Sequence, residues 1–410
     1  MTRPLFFLIL ALSGCPCRGA VFLIGLDGAT WDVADPLIRQ GRMPNLRKCL
    51  AHGARAVLRS SDWTYSPLIW TSIATGKKVA KHGIRDFYVG QRRYTSSDRR
   101  CAALWNMLTR QGRTVCSVGY MMTWPVERVA GVMVSDQYFS RLISDQLVYP
   151  PDLSLSTPRH KQGRRRALLR LARRLTPFVA DPGWEKLPKD SPAYLENLIF
   201  WHRLSYALKH DEGFTDIAEE LLAKRAYDLF LIHLWGIDLV SHGFWKYQAG
   251  ARAAPKHPFS RIVPRYYAYI DSLLGRLLRF VGPQDTVIIV SDHGMRARSA
   301  ADGAAQPYLS GAHHPDGVFA AAGPQVAVVR RQGRVGECDI APTVLRLLGL
   351  PAARDMDGRV LSDILRPGLA AVDDIATYEE PGRPSGSDAA PGTPLSPDEL
   401  ELLKASGYIR

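Results

Sequence analysis

The chain has 410 residues and a formal net charge of +14. That length can bury a sizeable core, either as one large domain with an insertion or as two smaller domains. The apolar and charged fractions are those of an ordinary globular protein, no internal window is apolar for long enough to span a bilayer, and no fixed-period repeat is present.

In chain order, the first residues read as an export signal: Arg3 is the sole charge, and Leu5 to Leu12 form a short apolar run. Leu12-Ser13-Gly14-Cys15 resembles the lipobox of bacterial lipoproteins, which would acylate Cys15 and place the protein in the periplasm or on a membrane. The other reading is a mis-assigned start or an edge strand in a cytoplasmic protein. A strand starting near Ala20 leaves a tether of at most about 18 Å, so an anchored enzyme would sit close to the bilayer. Ala20 to Asp27 is a continuous apolar run ending in a carboxylate and Gly28, the pattern of a strand buried on both faces of a parallel sheet. Pro44 and Asn45 open a helical pattern through Leu50. Thr71 to Thr75 and Leu104 to Thr109 are also helical, and Thr114 to Val118 is a short strand.

From about Tyr149 to Ala223 the composition changes. This stretch is first rich in Pro and Arg, then aromatic, with Trp184, Tyr194, Phe200, Trp201 and Tyr206. Leu168, Leu171, Ala172 and Leu175 fall at helical spacing among arginines, as in an amphipathic basic helix suited to an anionic membrane surface. Much of the positive charge lies here, from Arg159 to Arg174, so the basic balance is local and no nucleic-acid motif accompanies it. The core pattern resumes with a strand at Leu229 to Leu234, a helix at Tyr266 to Phe280 and a strand at Thr286 to Ser291. Strands at Val318 to Ala322 and Val326 to Arg330 follow, and then a helix at Ile340 to Leu348, stopped by Gly349 and Pro351. Ser396-Pro397-Asp398-Glu399 makes a capping box for a last short helix. Of six cysteines, Cys49, Cys101, Cys116 and Cys338 read as buried thiols, and no spacing matches a zinc ribbon or finger.

Strands alternating with helices predict an α/β fold, a three-layer α/β/α sandwich with a mostly parallel central sheet and a helical cap. The division is 1–19 signal segment, 20–148 core, 149–223 basic and aromatic insertion, 224–370 core again, and 371–410 tail with a short helix.

Sheet enzymes place their sites where strands end in loops, and these strand ends carry metal-ligand residues. Asp27 closes the first strand. Asp238 and His242 follow the strand at Leu229 to Leu234, and their spacing puts both on one face of a helical turn. Asp292 and His293 close another strand, with Gly294 permitting the bend that lets both reach one site. His313 sits in Gly311-Ala312-His313-His314-Pro315. Carboxylates and imidazoles suit zinc and manganese. An oxygen nucleophile is offered by the segment Ser66 to Gly76. Ser66 precedes Pro67, which pushes its backbone out of helix and stands its side chain at a helix mouth, where an anionic phosphate is favoured. Thr64 is the second candidate. Thr71, Ser72 and Thr75 lie inside the helix and serve packing or local hydrogen bonds.

These motifs together resemble a known family. Gly25-Leu26-Asp27-Gly28-Ala29-Thr30-Trp31 followed by Met43-Pro44-Asn45-Leu46 looks like the opening of the type I phosphodiesterase/nucleotide pyrophosphatase group of the alkaline phosphatase superfamily. Trp70 to Gly76 with Lys81-His82-Gly83-Ile84 is similar to its nucleophile segment. Asp238 to His242 with Gly243-Phe244-Trp245, and Ser291 to Met295, match its metal motifs, and Asp339 to Val344 with Met356-Asp357-Gly358 its closing segment. The resemblance covers roughly residues 20 to 120 and 225 to 365.

It implies a hydrolase of phosphate esters, most simply a phosphodiesterase, with two divalent metal ions, zinc or manganese. Asp238, His242 and His313 would hold one, and Asp27, Asp292, His293 and Ser66 the other. Ser66 would attack phosphorus in line, giving a phospho-enzyme that water releases. Phosphomonoesterase, phosphotransferase and a non-catalytic binding protein on the same fold are the alternatives. The chain departs from the nucleotide pyrophosphatases, which carry a Thr nucleophile and a phosphate-binding Asn shortly after it, where Ser66 and Ile69 stand here. It also lacks the Cys/Ser-x-Pro-x-Arg motif of sulfatases.

Overall fold

The computed structural model describes residues 19–61, 64–89, 92–140, 143–157, 188, 192–248, 258–302, 309–369 and 372–380. The signal segment with Cys15, the basic helix near Leu168, Trp184 and the capping box at Ser396 lie outside the described residues. The first strand, β1 (Val21–Leu26), is followed by helices α1 (Trp31–Arg39) and α2 (Pro44–Ala51) and by β2 (Gly53–Arg59). Then come α3 (Ser66–Thr75), α4 (Val79–His82), β3 (Tyr88–Val89), β4 (Arg92–Arg93) and α5 (Leu104–Arg110). Three strands, β5 (Val115–Val118), β6 (Gly131–Val134) and β7 (Val148–Tyr149), lead to a long helix, α6 (Pro192–Lys224). The second half holds β8 (Leu229–Leu234), α7 (Gly236–Phe244), α8 (Ile262–Leu278), β9 (Thr286–Val290), β10 (Gly294–Ala297), β11 (Gly311–His314), β12 (Asp316–Ala322), β13 (Arg330–Gly336) and α9 (Ile340–Leu347).

A nine-stranded sheet runs in the order β13-β2-β12-β9-β1-β8-β5-β6-β7. β9, β1, β8, β5 and β6 are mutually parallel, β12 is antiparallel to both its neighbours, and β7 is antiparallel to β6. Every residue of β1 and β8 is buried, which is what an apolar strand covered on both faces requires. Alternate residues of β1 enter different cores. Phe22, Ile24 and Leu26 pack with α1, α2, α6, α7 and α8, and Val21 and Leu23 pack with α3, α5 and α9. The mostly parallel sheet with helices on both faces is the architecture the alternation of elements predicts. Among the described residues, no helix is long and apolar enough to cross a membrane.

Two local expectations change. The strand expected at Val326 to Arg330 lies instead at Arg330–Gly336, and Val326 makes only an isolated bridge to Leu365. β13 borders β2 at the edge of the sheet formed by the described residues, where its other side meets no further strand of that sheet, so a polar segment can take the ladder. Ser66 is the first residue of α3, with Tyr65 as its cap in an extended conformation, and is not held out of the helix by Pro67. The pre-proline restriction is a steric preference, and Pro67 in the first turn loses only an N–H that has no partner there anyway. His313 lies in a strand, β11, paired antiparallel with β10 so that it faces Met295.

β9, β1 and β8 are neighbours at the sheet centre, and strands stand about 4.8 Å apart. Their C-terminal ends therefore bring Asp292, Asp27 and the start of α7 to one place. The turn that allows this is Gly28, with φ +70°. A Cβ there would also lie 2.9 Å from both Cα and Cβ of Asp238. Gly28→Ala is expected to cost about 1–3 kcal/mol of stability, from a left-handed backbone and a displaced α7. Urea unfolding measures this, and a variant as stable as the wild type would contradict the close approach.

Candidate metal centre

Asp27, Asp238, Asp292 and His293 are at most 1% exposed, and Ser66 is 2% exposed. All seven residues singled out in the sequence converge here. Asp238 and His242 stand one turn apart on α7, with Asp238 Oδ1 3.3 Å from His242 Nε2. His313 Nε2 reaches the same Asp238 oxygen at 3.4 Å and lies 2.9 Å from His242 Nε2. On the other side, His293 Nε2 stands 3.3 Å from Asp292 Oδ2 and 3.5 Å from Asp27 Oδ1. Ser66 Oγ completes this second group, 3.2 Å from His293 Nε2 and 3.5 Å from Asp27 Oδ1. The two groups adjoin: His293 Nε2 is 3.9 Å from Asp238 Oδ1, and the His293 and His313 rings stack with centroids 3.7 Å apart.

The imidazole hydrogen bonds decide what these atoms can do. His242 Nδ1 meets the Gly311 carbonyl at 3.0 Å, His293 Nδ1 the Gly294 carbonyl at 3.0 Å, and His313 Nδ1 the Thr64 carbonyl at 2.6 Å. A carbonyl only accepts, so each Nδ1 carries the proton and donates. In the neutral ring, Nε2 then keeps its lone pair. Three lone pairs thus face three carboxylates in a buried space, and two of them meet at 2.9 Å. Such an arrangement asks for a cation. Ligands about 2.0–2.1 Å from a tetrahedral ion lie roughly 3.3–3.4 Å from one another, close to the 3.2–3.5 Å of these pairs, with His242 and His313 nearer at 2.9 Å. Asp292 Oδ2, buried and without a hydrogen bond among the described residues, adds an acceptor in want of a partner. Asp27, Asp292 and His293 form one set able to hold an ion, and Asp238, His293 and His313 another.

The ionisation of the carboxylates follows from their crowding. Burial, then the charges of Asp292 and Asp238, hold the Asp27 carboxyl well above the usual range. Burial and Asp238 push Asp292 up to about 7. Asp238 is held well below its ordinary value where the His242 and His313 rings are protonated, their charge and hydrogen bonds outweighing the burial that would raise it.

The family model described as type I phosphodiesterase/nucleotide pyrophosphatase matches residues 21–335. The chain belongs to that family. That family is, by class, one of phosphoric ester hydrolases. Human ectonucleotide pyrophosphatase/phosphodiesterase 5 superposes with a TM-score of 0.53 at 14% identity, over 85% of this chain and 100% of that one. Its murine counterpart, an inactive threonine-to-alanine variant in complex with AMP, does so with a TM-score of 0.51 at 12% identity, over the same shares. Both likenesses are of fold. Among curated proteins, the 2,3-bisphosphoglycerate-independent phosphoglycerate mutase of Synechococcus sp. (strain JA-2-3B'a(2-13)) is 30% identical over 154 residues, 36% of this chain and 26% of that protein. The corresponding mutase 2 of Methanosarcina barkeri (strain Fusaro) is 24% identical over 38% of this chain and 27% of that protein. The chain thus spans about a quarter of the length of these relatives.

Two residues at this family member's centre carry no role in the sequence reading. Asp27 Oδ2 accepts from Trp70 Nε1 at 2.9 Å and from His233 Nε2 at 3.0 Å, which turns Oδ1 toward Ser66 and His293. Outer partners of this kind fix the orientation of a ligating carboxylate. His233 had a signal, being the one polar residue in the apolar strand Leu229–Leu234. Trp70 opens the segment that resembles the family's nucleophile segment, but no local pattern marked its bond to Asp27. Ile69 is fully buried in α3.

The raised carboxyls give a pH signature. A carboxyl whose folded value is above its unfolded one contributes stability that is present at low pH and lost as pH rises, here from about 4 through about 7 for Asp292. A divalent cation relieves the same repulsion and competes with those protons. Metal-stripped protein should therefore gain more thermal stability from added Mn²⁺ at pH 8 than at pH 5.5. An equal gain at both pH values would contradict the assignment of these carboxylates to the ion.

Proposed function

We propose that this chain is a phosphodiesterase that works through Ser66 with two divalent cations, zinc or manganese. The observation that carries the reading is the position of Ser66 Oγ, 3.2 Å from His293 Nε2 and 3.5 Å from Asp27 Oδ1 at the first residue of α3. Asp238, His242 and His313 would hold one cation, and Asp27, Asp292 and His293 the other, with Ser66 beside it. When bound, the cations supply a lowered hydroxyl pKa and positive charge against the phosphoryl oxygens.

Ser66 attacks phosphorus and gives up its proton, and the bond from phosphorus to the departing alkoxide breaks as that oxygen takes a proton. Water then cleaves phospho-Ser66 and regenerates the hydroxyl. The first turn of α3 adds a positive helix end near the phosphoryl oxygens. Thr64 fits a different part: its carbonyl holds His313 Nδ1, so it serves the site through its backbone. Thr71 and Thr75 donate their hydroxyls to the Pro67 and Thr71 carbonyls, and Ser72 Oγ accepts from Nε2 of His82, whose Nδ1 accepts from Ile84 N, so all three are engaged inside the helix packing. The AMP-bound neighbour, inactive once a threonine is removed, supports a hydroxyl nucleophile on this fold. Transfer to an alcohol in place of water, to which the mutase relatives point, would begin from the same phospho-Ser66.

Ser66→Ala should lower hydrolysis of an aryl phosphate diester by about a thousandfold or more, with Mn²⁺ binding largely kept and Thr64→Ala active. A screen of diesters, monoesters and phospholipids with wild type, Ser66→Ala and Thr64→Ala measures this. A fully active Ser66→Ala with a dead Thr64→Ala would overturn the choice of nucleophile.

A further inference from the structure

The helix that carries two of the proposed metal ligands cannot begin by itself. α7 spans nine residues, with Asp238 in its first turn and His242 one turn on. The first turn of a helix leaves N–H groups without partners, and the residue at its cap is Trp235, which gives no side-chain hydrogen bond there. An indole has no acceptor to offer.

The acceptor comes from another helix. Asp211 of α6 is fully buried, and its Oδ1 accepts from Trp235 N at 2.9 Å. Gly236 N donates to both carboxyl oxygens, at 3.3 Å and 3.1 Å. Tyr266 Oη of α8 donates to Oδ2 at 2.8 Å and fixes the carboxyl from a third side. The fit leaves no slack. A Cβ on Gly236 would lie 1.9 Å from Tyr266 Oη and 2.3 Å from Asp211 Oδ2. Burial pushes the Asp211 carboxyl up to about 7, while its three donors pull it down. Above that pH the cap is anionic, the charge that a helix start favours.

We infer that Asp211 is a positioning residue for the metal centre. Held by Tyr266, it fixes the start of α7 and so the separation of Asp238 and His242 from the groups on β1 and β9. The long helix α6 thereby sets how tightly the site closes on its ion. This rests on the metal reading above, so the test separates the two.

The full chain, stripped of metal, is titrated with Mn²⁺ alone at pH 8, with metal-free thermal melts recorded in parallel. Asp211→Asn keeps an acceptor but loses the charge and one oxygen. It should bind Mn²⁺ about 10- to 100-fold more weakly. Tyr266→Phe, which leaves the cap in place but unheld, should bind about three- to tenfold more weakly, and it decides the matter if Asp211→Asn does not fold. Arg276→Gln is the control. Arg276 joins α8 to α6 through Glu219 and Asp216, and more loosely through Glu212 at 3.5 Å, with its hydrogen bonds going to Glu219 and Asp216 and none to Asp211, so its loss should lower the melting temperature and leave Mn²⁺ affinity within about twofold. A wild type that takes up no Mn²⁺ overturns the metal site and this inference with it. A wild type that binds while Asp211→Asn and Tyr266→Phe bind equally well overturns this inference alone, as does an Arg276→Gln that weakens binding as much as Asp211→Asn.

Discussion

Asp27, Asp238 and Asp292 lie buried around His293, and all three cannot be ionised there without positive charge between them. Much of the local architecture follows from bringing these groups so close. Three adjacent parallel strand ends deliver them, and Gly28 lets the chain leave β1 against the backbone of Asp238. The imidazoles are each turned by a carbonyl so that Nε2 points inward. Burial that would be costly for unpaired carboxylates becomes useful once cations occupy the space, because charge acts more strongly where water is excluded.

Much of this was legible in the sequence for a physical reason. A strand buried on both faces must be a continuous apolar run, so a carboxylate closing one, as Asp27 closes β1, stands out. The spacing of Asp238 and His242 carries its own geometry, because four residues make about one helical turn. Asp292 and His293 next to Gly294 announce a bend. What stayed hidden depends on partners distant in the chain. The pairing of β10 with β11, which sets His313, is a tertiary arrangement that no local pattern encodes. Asp211 lies in a polar-looking stretch of α6, and only folding brings it to the start of α7. The ladder at β13 went to a polar segment because an edge strand does not need two apolar faces.

Membership of the phosphodiesterase family accounts for the ligand types, and two local features are this chain's own. Ile69 is fully buried in α3 and presents no polar group to the centre. The hydroxyl that faces the centre is a serine. Both features fit a site that keeps the phosphoryl chemistry of the family and takes its substrate preference from elsewhere on the chain.

Anomalous diffraction from crystals grown with Mn²⁺ or Zn²⁺ tests the central claim most directly. The account predicts two peaks, one bounded by Asp238, His242 and His313 and one by Asp27, Asp292, His293 and Ser66, each about 2.0–2.2 Å from its ligand atoms. No peak in the centre, or a single ion with Ser66 turned away from it, would contradict the account.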